Sequence, residues 1–73
     1  MLTAEIRVNG TLINHIYIVN RRFVDEIAGH EYSYDVYSVE EGTTIKGTVK
    51  HRQEDGALEL IKTIIKDYQE KEF

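Results

Sequence analysis

The sequence predicts an α+β domain: a four-stranded antiparallel sheet made of two hairpins in a meander, with one C-terminal amphipathic helix packed on one face. Three observations lead there. Residues 2–8, 31–39 and 44–52 alternate with the two-residue period of a strand. Turn signals separate these runs. The stretch Asp55 to Lys71 is the only long run with helical period.

The first strand is Leu2 to Val8, with Leu2, Ala4, Ile6 and Val8 on one face and Thr3, Glu5 and Arg7 on the other. Asn9-Gly10 follows, the strongest short hairpin signal, because both residues tolerate positive φ. The second strand is Thr11 to Val19, and it is apolar on both faces. A two-residue turn places Ile13, His15, Tyr17 and Val19 on the Ile6 face; a three-residue turn with a bulge places Leu12, Asn14, Ile16 and Ile18 there. Either register leaves about three large side chains away from the helix, so cover from a loop or from another chain is expected. Asn20 to His30 reads as a connector, either a mobile loop or a short helical turn in which Phe23 and Ile27 share a side and Gly29 caps.

Glu31 to Val39 and Thr44 to Arg52 form the second hairpin around Glu40-Glu41-Gly42-Thr43. The expected pairing sets Tyr34, Val36 and Ser38 opposite Val49, Gly47 and Ile45 on the helix side. Tyr37, Asp35, Ser33 and Glu31 then face Lys46, Thr48, Lys50 and Arg52 on the other. In the helix, Ala57, Leu58, Leu60, Ile61, Ile64, Ile65 and Tyr68 make one broad stripe, opposite Glu59, Lys62, Lys66, Asp67 and Glu70. Asp55 is the expected cap of the first turn, and Asp67 with Lys71 an i,i+4 pair.

Seventy-three residues make one small domain, residues 1–73, in which nearly every apolar side chain must be used. The absence of cysteine removes disulfides, thiolate chemistry and the usual small zinc sites, and suits a reducing compartment, with cytoplasm the default. No stretch is apolar enough to span a bilayer, and the N-terminus lacks a signal pattern. A soluble, unprocessed chain is expected, with no membrane partner. The net charge of −4 divides as about −2 over residues 1–39, zero over 40–54 and −2 over 55–73, which disfavours strong non-specific binding to nucleic acid.

No constellation of side chains carries a reaction. His15, His30 and His51 lie on separate elements without ligand spacing, so neither a metal nor another cofactor is expected. Ser33, Asp35 and His51 are nominally a nucleophile, a carboxylate and a base, but strand parity turns His51 away from the other two. Lys46, Lys50 and Arg52 form a basic row near Tyr37, the pattern of single-strand binders. The β-β-β-α order ending in this row resembles the later half of double-stranded RNA-binding domains in architecture. The first helix of that family is absent, and Gln53-Glu54-Asp55-Gly56 stands where it places lysines, so acid there repels phosphate.

These features predict a non-enzymatic interaction module that meets a protein partner, or a second copy in a homodimer, through the outer sheet face or a sheet edge. The candidate surface is Leu12, Ile13, Ile16, Tyr17, Ile18 and Tyr37. The alternative is RNA binding through Lys46, Lys50 and Arg52. A small inhibitor occupying another protein's site would carry the same signature.

Overall fold

The computed structural model describes residues 2–72, apart from the side chain of Glu72. Strands β1 (Leu2–Val8), β2 (Thr11–Val24), β3 (Gly29–Ser38) and β4 (Thr43–Arg52) lie in chain order across one antiparallel sheet, and α1 (Gly56–Glu72) packs on one face. This is the α+β meander that the alternation and the helical period predict. No helix among the described residues is long and apolar enough to cross a membrane.

Asn9 and Gly10, at φ 52 and 81, join Val8 to its partner Thr11 by a two-residue turn. Neither expected register holds throughout. Pairing begins as that turn dictates, Arg7 with Leu12, then slips at Ile13 so that Ile6 meets Asn14, Ala4 meets Ile16 and Leu2 meets Ile18. One extra residue in a strand exchanges its faces. Ile16 and Ile18 thereby reach the helix side and are buried, which absorbs much of the apparent apolar surplus of this strand.

The expected connector at residues 20–30 is corrected. A second slip at Val19 lets β2 continue to Val24 and pair with β3 as far as Gly29. Only Asp25–Ile27 leaves the sheet, as a 3-10 turn closed by Ala28 at φ 50 rather than by Gly29. Gly29 already belongs to β3, where a Cβ would strike the backbone of His51 and Arg52.

The second hairpin has the expected faces with a register two residues away. Its loop is Val39–Gly42, in which the Gly42 N–H donates to the Ser38 carbonyl at 2.8 Å and the Glu41 N–H to Ser38 Oγ at 3.2 Å. Tyr34, Val36 and Ser38 therefore face Gly47, Ile45 and Thr43, and on the outer side Tyr37, Asp35, Ser33 and Glu31 face Thr44, Lys46, Thr48 and Lys50. Packing supplies the reason. The Tyr34 ring lies over Gly47, where a Cβ would come within 2.6 Å of Tyr34 Cζ, so no other residue in β4 admits that ring without displacement.

Leu60, Ile64 and Tyr68 are the buried line of α1, flanked by half-buried Ile61 and Ile65, against Ile16, Ile18, Tyr34, Val36 and Val49. The stripe is narrower than expected, since Ala57 is exposed and Leu58 is 69% exposed. Asp55 is not the cap. It sits in the 3-10 turn Gln53–Asp55 and makes no side-chain hydrogen bond to the helix among the described residues; the helix start is held instead by His51, whose Nε2–H donates to the Gly56 carbonyl at 2.7 Å. The Asp67–Lys71 pair forms at 3.8 Å, but the closer partner of Asp67 is the Tyr34 hydroxyl, which donates to it at 2.5 Å.

Two predictions follow from this core. Ile64→Ala should lower the unfolding free energy by about 2–5 kcal/mol in a denaturant series, whereas Lys62→Ala, at an exposed site, should change it by less than about 0.5 kcal/mol; equal effects would refute the assigned helix face. Burial, followed by the hydrogen bond and charge of Asp67, pushes the Tyr34 phenol well above its usual range. An unfolded tyrosine gives up its proton first, so this contribution to stability is intact below about pH 10 and declines as pH rises beyond it. Tyr34→Phe should flatten that alkaline decline, and an unchanged slope in thermal melts would contradict the burial argument.

Candidate functional site

The structure disperses the six apolar candidates of the second and third strands. Ile16 and Ile18 are core beneath α1. Leu12, Ile13 and Tyr17 are half-buried, and the Ile13 carbonyl accepts from the Val39 N–H at 3.1 Å. Tyr17 and Tyr37 remain on the outer face in neighbouring rows, Tyr17 beside Asp35 and Tyr37 beside His15. The basic row is exposed along the edge strand β4, with acids close by: Lys46 pairs with Asp35 at 3.3 Å and Arg52 with Glu54 at 3.8 Å. Lys50 stands opposite Glu31, which accepts from Arg22 at 3.0 Å. The local field is mixed in sign rather than basic.

The slip at Ile13 creates a chain of polar contacts invisible in the sequence. It sets Glu5 opposite His15, whose Nε2 lies 3.1 Å from the Glu5 carboxylate and whose Nδ1 lies 2.7 Å from the Tyr17 hydroxyl. Arg7 holds the other Glu5 oxygen at 3.0 Å. The His15 contact first, then Arg7, keeps the Glu5 carboxyl below its usual range. A carboxylate, an imidazole and a hydroxyl in line are the parts of a nucleophile relay. Here they lie on an open sheet face, with the Glu5 side chain 47% exposed, and no described residue shields a reaction there from water.

A third region lies where β1 stops. Leu2 is opposite Ile18, so Val19 to Val24 of β2 has β3 on one side and no strand on the other among the described residues. Leu2, Val19 and Phe23 are exposed there, Phe23 at 55%. On the helix side of this overhang an aromatic row crosses three strands: Phe23 to His30 at 5.5 Å, His30 to Tyr32 at 5.7 Å and Tyr32 to His51 at 6.4 Å between centroids. Two adjoining clefts, of about 530 and 190 Å3, share Leu2, Arg21 and Tyr32. His30 Nδ1 is buried without a hydrogen bond among the described residues. No group of three metal-binding side chains converges among the described residues. Sequence reasoning missed this region because it read Asn20 to His30 as a connector, either a mobile loop or a short helical turn with Phe23 and Ile27 on one side; the one available signal was the apolar pair Phe23 and Val24 directly after two arginines.

Replacing His15 by Ala should raise the titration midpoint of the Glu5 carboxyl toward the ordinary glutamate range, read by carboxyl carbon shifts in an NMR pH series. A midpoint that stays put would mean the contact is absent in solution.

No protein-family model, curated protein or solved structure matches the chain, so the functional reading stands on this geometry.

Proposed function

We propose that the chain is a non-enzymatic protein-interaction module that meets its partner along the free edge of β2. The observation that supports this reading is the overhang itself. Among the described residues, Val19 to Val24 run beyond the last β1 partner in a strand of 14. An unpaired strand edge offers a row of backbone donors and acceptors that another extended chain can complete, and adjacent side-chain clefts supply selectivity. Exposed Leu2, Val19 and Phe23 border that edge, and apolar surface gathered at one place on a folded domain marks a contact. The outer face, by contrast, carries paired charges and the Glu5, His15 and Tyr17 chain, which water satisfies well.

Selection of an unbiased displayed peptide library on the immobilised protein tests this reading. Enriched peptides should move the backbone amide signals of residues 19–24, and Phe23→Glu should weaken them about tenfold or more while leaving the fold intact by circular dichroism. The reading fails if no peptide is enriched, or if enriched peptides ignore the edge. It also fails if single- or double-stranded RNA at low salt produces localised, steeply salt-dependent shifts at Lys46, Lys50 and Arg52, the behaviour of a nucleic-acid face.

A further inference from the structure

We infer that the segment completing the β2 edge is acidic and extended, added to β2 as an edge strand. The inference rests on the interaction reading above and names the chemistry of its partner. β2 contains no acid, and its cationic side chains, Arg21 and Arg22, both fall within the overhang. Arg22 gives Glu31 one guanidinium nitrogen, Nη2, at 3.0 Å, and with its side chain 65% exposed the rest of its fork faces solvent. Arg21 makes no ion pair among the described residues, and it lines both clefts beside Leu2 and Tyr32. Its backbone N–H is taken locally, by Asn20 Oδ1 at 2.9 Å.

A guanidinium left without a carboxylate, at the wall of a cleft with apolar lining, binds a partner's carboxylate in a fork of charge-assisted hydrogen bonds. An added strand presents alternate side chains to alternate faces. Arg21 and Phe23 are on the helix side with Tyr32 and His30, and Arg22 is on the outer side with Glu31. The residue opposite Arg21 and the residue opposite Arg22 are therefore consecutive, so the fitting motif is two adjacent acids flanked by apolar residues. Asp25 and Glu26 follow the edge directly, and they require the partner residues nearest Val24 to be free of acid.

A second copy of this chain fits poorly. Two-fold antiparallel pairing of the overhang with itself brings the arginines of both chains opposite or diagonal to one another, and like charges across a ladder repel. The chemistry assigned is that of an acidic β-strand from another protein.

The test uses the hexapeptide Ac-Thr-Val-Glu-Glu-Thr-Val-NH2, its Lys-Lys counterpart, and the Glu-Glu peptide N-methylated on the pairing edge, each titrated to millimolar concentration against the labelled full chain by NMR. The Glu-Glu peptide should shift residues 19–24 and bind roughly tenfold more tightly than the Lys-Lys peptide. The N-methylated peptide should lose binding. In the double variant Arg21→Glu and Arg22→Glu, at exposed positions that leave the core untouched, the preference should invert. Equal binding of the two charges, or an unchanged preference in the variant, overturns the acidic assignment while shifts at the edge preserve the interaction reading. Absence of any response overturns the assignment, and the library selection then decides the reading separately. Single-stranded RNA displacing the Glu-Glu peptide from the same amides, or a dimer in sedimentation that protects those amides and excludes the peptide, overturns it in favour of phosphate or of self-pairing.

Discussion

The contact on which the rest of this structure depends is Tyr34 against Gly47 and Asp67. Its ring, 1% exposed, fills the space left by a residue without a side chain in β4, and its hydroxyl reaches across the core to a carboxylate on α1. The first contact selects one register from several of equal parity, and the second fixes where along the sheet the helix comes to rest. A hydrogen bond to a charged group contributes about 1.5–3 kcal/mol, which is large in a domain of this size. Asn14 adds a weaker tie one residue further along the helix, its Nδ2 lying 3.5 Å from the Tyr68 hydroxyl.

Around that anchor, β2 does the adapting. A regular strand could not place Ile16 and Ile18 under the helix and also begin at a two-residue Asn9-Gly10 turn. The bulge at Ile13 reconciles them, and the one at Val19 corrects the pairing with β3 so that the strand can run to its full length. Bulges are stabilised by what they bring together elsewhere, here a sealed core on one face and the Glu5, His15 and Tyr17 contacts on the other.

This explains which parts of the fold were legible in the sequence. The Leu2 to Val8 alternation, the Asn9-Gly10 turn and the helical period between Asp55 and Lys71 are local signals, and each element formed where they lie. Parity in the second hairpin was also legible, since alternation fixes faces; a slip of two preserves alternation and is settled only by the Tyr34 and Gly47 contact. The bulges, the continuation of β2 through Asn20, Arg21 and Arg22, and the exposure of Leu58 all depend on the width and ends of a sheet that no single segment encodes. The overhang shares that origin: at the end of a sheet a strand can be polar on both faces and resemble a loop.

The order of the strands also bears on how the chain reaches this state. Each strand pairs with its sequence neighbour across a connection of two to four residues, so the sheet can assemble from cheap local loop closures. The helix behaves differently, because its anchors lie 33 residues away at Tyr34 and 54 away at Asn14. A sheet formed ahead of its helix presents Ile16, Ile18, Tyr34, Val36 and Val49 as one bare apolar strip. In such a species the cationic edge at Arg21 and Arg22 acquires a second consequence, keeping two half-finished sheets from joining strand to strand before the helix arrives.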